Sequence, residues 1–388
     1  MVVAHRGRPA AGVSGCSHPG RAGWRAMTTT SPVTGSPTDT RPPRRRWPRF
    51  AVAGVLTAVA VLTALPDRLG GLDRWTPFAQ IVAFRPYVVV VVGLLGLVAL
   101  VATVFRRRMW PFAAGLVAVA VVGAGIVAPR LVADPPPPAS APMLNVLSFN
   151  VYEGRADPAA LAAVIRAEQP DLVSLPEAGA RYRDRIAALV GPGYHAQSST
   201  RPGVADVYGV TVLVADRLGP VRTDVDTSMT IPALVVTGGT LGDLRFVAVH
   251  SRAPTPSRIA MWRTDLATLP TWCGATRPTV VAGDLNATFD HSVLRDATRG
   301  CGDAATQRGE GLTPTWGPRG GSVGPQIDHV LATSGIEADS VRFLSLPGSD
   351  HRAVLARLAL PTAQAGSTGA AAGTGAAVPS STGSASTP

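Results

Sequence analysis

The sequence predicts a layered α/β domain preceded by about three transmembrane helices, and three observations carry that reading. Uncharged apolar runs recur early, at residues 50–65, 86–105 and 109–128. Beyond residue 143 the pattern changes to short apolar runs of strand length alternating with helical spacing. Composition agrees with a chain lying partly in lipid: 46% of its 388 residues are hydrophobic and 16% charged, against roughly 25% charged in an average soluble protein. A wholly soluble and a wholly disordered chain are excluded.

The formal net charge of +11 resembles a nucleic-acid footprint until it is divided along the chain. Residues 1–142 hold 16 Arg against four acids, a net +12, whereas residues 143–388 hold 20 Arg against 21 acids, a net −1. All 36 basic residues are Arg, which excludes a catalytic lysine.

In order along the chain, residues 1–49 lack apolar periodicity and read as a disordered, Arg-rich cytoplasmic tail. Residues 50–128 form the membrane domain. The second and third runs have 20 residues each, which at about 1.5 Å per residue match a hydrocarbon layer of about 30 Å. The first has 16 and leans on Trp47 and Arg68; its other reading is a buried or signal-type segment. Arg41, Arg44, Arg45, Arg46 and Arg49 precede it, and Arg106, Arg107 and Arg108 join the second run to the third. Arginines near span ends stay on the cytoplasmic side, so everything after Ala128 is expected outside. Residues 129–143 form a Pro-rich linker, a stiff spacer expected to lift the next domain off the membrane. Residues 144–360 make one domain of ordinary size, and the uncharged residues 361–388 read as a disordered, low-complexity tail.

Within that domain, strands are expected at 144–149, 172–175, 210–214, 233–236, 244–249, 279–282, 327–331 and 353–358. The first helix has Asp157 as its cap and Pro158 at its first position, Leu161, Val164 and Ile165 on one face, and Pro170 as its stop. Polar residues stand at the strand ends. Asn150 ends LNVLSFN, Glu177 follows DLVSLPE, His250 ends LRFVAVH, and Asp284 with Asn286 follows TVVAGDLN. Asp328 and His329 lie in QIDHVL, Asp350 and His351 in GSDHRAV. Six such ends point to one cleft at a common sheet edge.

The ordered set SFN, PE, VH, GDLNAT, IDHV and SDHRAV resembles the motifs of the endonuclease/exonuclease/phosphatase superfamily of metal-dependent phosphoesterases, across residues 144–360. The resemblance implies a four-layer α/β/β/α sandwich, two sheets face to face with helices outside. It also implies phosphoester hydrolysis with Mg²⁺ or Mn²⁺ as cofactor. Such hydrolysis needs a hard cation on the phosphate, an activated water and stabilisation of developing charge. Glu177 and Asp350 are the expected metal ligands, with Asn150 orienting Glu177 or meeting the phosphate. Asp284 is expected to deprotonate the water, and Asn286, two residues on, to hold a phosphate oxygen. His351, fixed by Asp328, would contact the phosphate, and His250 would protonate or stabilise the leaving group.

Other polar residues read blandly. His329 alternates away from Asp328 and reads as packing. Glu153, Asp157 and Asp171 read as helix-end or surface acids, His195 and His291 as surface residues, and Arg252 and Arg258 as exposed arginines that could meet phosphate. Pro176 stands where many members have Gln, and Asp206 is a candidate for a second substrate-contacting acid. Cys273 and Cys301 flank the GDLN strand and can pair in an oxidising exterior.

The expected partners are the lipid bilayer and a phosphoester: extracellular nucleic acid, phospholipid or a small organic phosphate. No protein partner is implied. His250 stands where abasic-site endonucleases have Tyr, which argues against that repair class. The alternative reading is a noncatalytic extracellular binding or adhesion module on a membrane anchor, which would have lost part of the catalytic set. A transporter is disfavoured, since Arg85 is the one charge near the interior of a span.

Overall fold

The computed structural model describes residues 47–361, so the tails expected at 1–49 and 361–388 lie almost entirely outside the described residues. The chain enters through α1 (Trp47–Ala64), α2 (Phe78–Val82), α3 (Arg85–Phe105) and α4 (Trp110–Val127). Among the described residues two helices, not three, are long and apolar enough to cross a membrane: α3, with 21 residues, and the 25-residue helical stretch Arg107–Leu131 around α4. The first apolar run falls short at Pro48–Ala64. Pro66 opens a separate 3₁₀ turn, Pro66–Arg68, because it lacks the N–H that would continue the helix. The three helices still pack together, with Phe50 of α1 edge-on to Trp110 of α4 at 6.1 Å. Gly123 lets α3 and α4 close up; a Cβ there would stand 2.5 Å from Val89 Cγ2.

Twelve strands follow: β1 (Met143–Ser148), β2 (Leu172–Pro176), β3 (Tyr194–Ser198), β4 (Val210–Ala215), β5 (Val221–Asp226), β6 (Ala233–Gly238), β7 (Arg245–His250), β8 (Thr279–Asp284), β9 (Cys301–Asp303), β10 (Asp328–Thr333), β11 (Glu337–Ser345) and β12 (Arg352–Ala359). They form two six-stranded sheets, ordered β11-β12-β1-β2-β4-β3 and β5-β6-β7-β8-β10-β9. Leu172, Val146 and Val214 of the first sheet meet Phe246, Val280 and Val330 of the second between the sheets. Val173 and Leu175 point the other way, onto Leu161, Ile165 and Ile186 of α5 (Pro158–Glu168) and α6 (Ala180–Val190). Val247 and Val281 of the second sheet meet Trp262, Leu266 and Leu294 of α7 (Ile259–Leu266) and α9 (Ser292–Ala297), with α8 (Pro270–Cys273) beside them. This is the four-layer α/β/β/α sandwich. Burial on both faces explains why the inner strands read as unbroken apolar runs.

The α5 helix begins as its sequence dictates. Asp157 accepts from the Ala159 amide at 2.9 Å, Pro158 follows, and Gln169 closes the helix in the left-handed region at φ 46°. Cys273 and Cys301 are joined in a disulfide with Cα atoms 5.2 Å apart.

The Pro-rich segment does not hold the domain away from the helices. The Asp134 amide donates to Gln307 O at 2.8 Å, and the loop between α1 and α3 meets the domain directly, Arg74 donating to Asp296 at 2.9 Å and Asp73 accepting from the Ser292 amide. Buried Arg85 pairs with Asp67 and, at 2.9 Å, with Asp290. Arg130 reaches the same Asp290 oxygen at 2.7 Å, and Arg295 reaches Asp67 at 2.7 Å. Buried Asp73 accepts from Ser292 Oγ at 3.0 Å, at the start of α9. His291, expected on the surface, is buried: its Nδ1 accepts from the Thr288 amide at 3.0 Å and its Nε2 donates to Ala79 O at 2.8 Å. Buried charges require paired partners, and here each element supplies the other's.

Candidate active site

The strand register assembles the site. In the second sheet His250 pairs with Asp284 across β7 and β8, and Asp284 pairs with Asp328 across β8 and β10, so three functional side chains share one edge. The first sheet supplies Asn150 just past β1 and Glu177 just past β2, and Asp350 and His351 precede β12. Asn150 joins the sheets: its Nδ2 donates to Glu177 Oε1 at 3.2 Å and to Asp284 Oδ2 at 2.9 Å. Its Oδ1 accepts from the Tyr152 amide at 2.9 Å.

Four of the non-glycine residues in the left-handed region stand here, Tyr152 (φ 50°), Glu153 (φ 52°), Glu177 (φ 59°) and Asn286 (φ 48°). That conformation is unfavourable for them and persists where surrounding bonds over-determine it. The bonds are present. The Glu153 amide donates to Glu177 Oε2 at 2.6 Å, the Asn286 amide to Asp284 Oδ1 at 2.7 Å, and Asn286 Nδ2 to Ser251 O at 3.0 Å.

His351 Nδ1 donates to Asp328 Oδ2 at 2.8 Å, leaving Nε2 3.9 Å from both Asp284 Oδ2 and Asp350 Oδ1. His250 Nε2 lies 3.7 Å from Glu177 Oε1 and 3.9 Å from Asp284 Oδ2. These groups, with Asn286, Arg252, Arg258 and Trp316, line a cleft of about 200 Å³, and Asn150 and Asp328 lie buried beneath it. The electrostatics follow from burial and crowding. Burial, then the Asp328 charge, pushes Asp284 up to about 7, and burial raises Glu177 against the Asn150 hydrogen bond. Burial opposes charge on His351, yet Asp328 and the other carboxylates outweigh it and hold the imidazole at about 9. Burial, then the neighbouring His351, pushes His250 down to about 3, so its ring is neutral.

Asp284, Asp328 and His351 offer ligand atoms within 4.8 Å of one another, a group that does not include the expected ligands Glu177 and Asp350 and whose imidazole already donates to Asp328. The buried oxygens Asp328 Oδ1 and Asp350 Oδ1 have no hydrogen-bond partner, so a divalent cation fits the cleft through its carboxylates. Crowded, partly unsatisfied carboxylates are the donor set a hard cation takes.

Asp206 and Asp171 differ from expectation, whereas His329 and His195 do not. Asp206 does not line this cleft; it accepts from the Gly179 amide at 2.9 Å and pairs with Arg181 at 2.7 Å, capping the start of α6. Asp171 is buried, accepting from the Asn145 amide and from Arg217. His329 is packed, between Asp303 Oδ1 at 3.2 Å and Ala287 O at 2.9 Å. His195 is exposed. Sequence reasoning missed Trp316, whose Nε1 donates to Asp350 Oδ2 at 3.0 Å, and the Glu153 amide. A tryptophan isolated in a Gly- and Pro-rich loop was the available signal for the first.

The family model for the endonuclease/exonuclease/phosphatase family matches residues 147–351. The chain belongs to this family. Family members are divalent-metal-dependent phosphoester hydrolases; in this chain the eight expected polar residues lie along one cleft or buried beneath it. Similar solved structures include a humanized D. rerio TDP2, 16% identical over 56% of this chain and 98% of that one, at a TM-score of 0.46. An endonuclease/exonuclease/phosphatase from Beutenbergia cavernae is 23% identical over 57% and 72%, at 0.45. The human nocturnin catalytic domain with bound sulfate is 18% identical over 56% and 95%, at 0.42. No curated protein matches the chain.

Proposed function

We propose that this family member is a membrane-anchored phosphodiester hydrolase acting outside the cytoplasmic membrane. The carboxylate cluster joined through Asn150 carries the reading. Glu177 and Asp350 would hold the cation, with Asn150 orienting Glu177, and the cation would neutralise phosphate charge. Asp284, raised toward neutrality, can accept a proton from the attacking water. His351 has Nδ1 engaged by Asp328, so its Nε2 is the free donor to a phosphate oxygen, and Asn286 lines the same cleft. His250 is held neutral and steadies the leaving oxygen by hydrogen bonding rather than as an imidazolium.

The anchor reading is supported by α3, whose Val90, Leu94, Val98 and Val101 are exposed as a lipid-facing helix requires. Arg106, Arg107 and Arg108 lie at the end of α3 away from the domain, which favours the domain outside. A noncatalytic adhesion module has no use for so complete a set.

The test is hydrolysis of bis(p-nitrophenyl) phosphate by the full chain in detergent, with Mg²⁺ or with chelator. Activity that survives both chelation and Asp284→Ala overturns the reading. Protease added to spheroplasts should release the domain; protection until permeabilisation would put it inside.

A further inference from the structure

The mouth of the cleft is fastened to the membrane end of α3. Tyr87, in the first turn of that helix, donates from its hydroxyl to Gly324 O at 3.1 Å and accepts from the Gly324 amide at 3.0 Å. Gly324 packs so tightly on the Trp316 backbone that a Cβ would stand 2.1 Å from Trp316 O. Trp316 in turn holds Asp350. These contacts tie the Trp316 loop, at the mouth of the cleft, to a membrane-length helix. On the opposite lip, Gln80 donates to Pro254 O, in the loop that brings Arg252 and Arg258 into the cleft.

We propose that the substrate is a phosphodiester carried by a lipid of the same bilayer, with Tyr87 as a positioning residue that sets this specificity. The inference rests on the phosphodiesterase and membrane readings above. Phe84, Tyr87, Trp316 and Val323 are exposed beside this mouth, and aromatic side chains favour the headgroup level of a bilayer. A cleft of about 200 Å³ with two lining arginines suits one phosphate. The net −1 of residues 143–388 gives the domain no overall basic excess with which to hold a nucleic-acid strand. A lipid diffusing in the plane of the anchor meets the mouth at high effective concentration. In the step itself, the oxygen of water bonds to phosphorus and the bond from phosphorus to the leaving oxygen breaks. The water's proton ends on that oxygen, giving an alcohol and a phosphomonoester.

The experiment uses the full chain with Mg²⁺ in proteoliposomes of phosphatidylglycerol and phosphatidylethanolamine, read by phosphorus NMR. The comparison substrates are glycerophosphoglycerol, glycerophosphoethanolamine and a single-stranded oligonucleotide in solution, with bis(p-nitrophenyl) phosphate as the generic diester. Lipid cleavage is expected at least tenfold faster than cleavage of the free headgroup diesters. Tyr87→Phe should lower lipid turnover about tenfold and leave the generic diester within twofold, and Gln80→Ala should repeat that pattern if Tyr87→Phe fails to fold. Faster cleavage of the free diesters or the oligonucleotide overturns the inference. So does an equal effect of the variants on both substrate kinds, which would mark a merely structural role. Absence of generic diester hydrolysis refutes the phosphodiesterase reading instead, and the inference falls with it.

Discussion

Replacing Asp328 by Asn changes one charge and almost no volume. The carboxylate is fully buried and receives His351 Nδ1 at 2.8 Å. An Asn oxygen can occupy the same place, so the imidazole keeps its partner and loses the charge beside it. A hydrogen bond to a charged group contributes about 1.5 to 3 kcal/mol. At about 1.36 kcal/mol per decade this is roughly a 10- to 150-fold fall in kcat. KM should stay within about twofold, because the imidazolium matters most where charge develops. Asp328 also repels Asp284, so the crowding relieved there offsets part of the attraction lost by the His351 imidazolium, and the melting temperature should stay close to that of the parent chain. The assay is steady-state hydrolysis of a chromogenic diester with Mg²⁺, paired with a thermal melt of the same sample. Unchanged kcat would refute the role given to the pair. A fall in kcat accompanied by a melting temperature several degrees lower would make Asp328 a structural residue only.

Chelation should abolish turnover, with Mg²⁺ or Mn²⁺ restoring it, and either ion should raise the melting temperature, because a ligand that binds only the folded state stabilises it; a melt indifferent to metal contradicts the cation site. Cys273 and Cys301 are 28 residues apart, and closing such a loop stabilises by about 3 to 4 kcal/mol on the chain-entropy model. The Cys273→Ser, Cys301→Ser double variant should therefore melt on the order of 10 °C lower, and nonreducing peptide mapping should show the pair linked. Burial lowers the pKa of His291, so the unfolded chain binds its proton more readily. Its stabilising contribution is complete above about pH 6.5 and falls as the pH drops toward the lowered folded value. A His291→Gln variant, which keeps a donor for Ala79 O, should show a stability deficit at pH 7.5 that narrows by pH 5.5; a pH-independent difference in melting temperature would rule this out.

The eight strands legible in the sequence are the inner strands of the two sheets, and the four that escaped notice, β3, β5, β9 and β11, are the four edges. The reason is burial. An inner strand such as β4, VTVLVA, is covered along its whole length and reads as an apolar run, whereas β5, VRTDVD, is open to water and carries charges that blur the pattern. Site residues were legible for a related reason: polar side chains stand out where an apolar strand stops. Trp316 and the Glu153 amide had no such contrast, one lying in an irregular loop and the other acting through its backbone.

By itself the sequence determined the inner strands, the capped first helix, two of the three expected helices of membrane-spanning length and the residue types of a phosphoesterase cleft, because each depends on local spacing or on composition. Tertiary structure decided which strands share a sheet, and so which carboxylates Asn150 bridges. It also decided that Asp67 and Asp73, in the connector before α3, Arg85 at the start of α3, and His291, which read as a surface residue, are buried where the apolar helices meet the domain. A charge in a connector looks solvated until a partner distant in the chain arrives, and here Asp290 of one element and Arg85 of the other lie 205 residues apart.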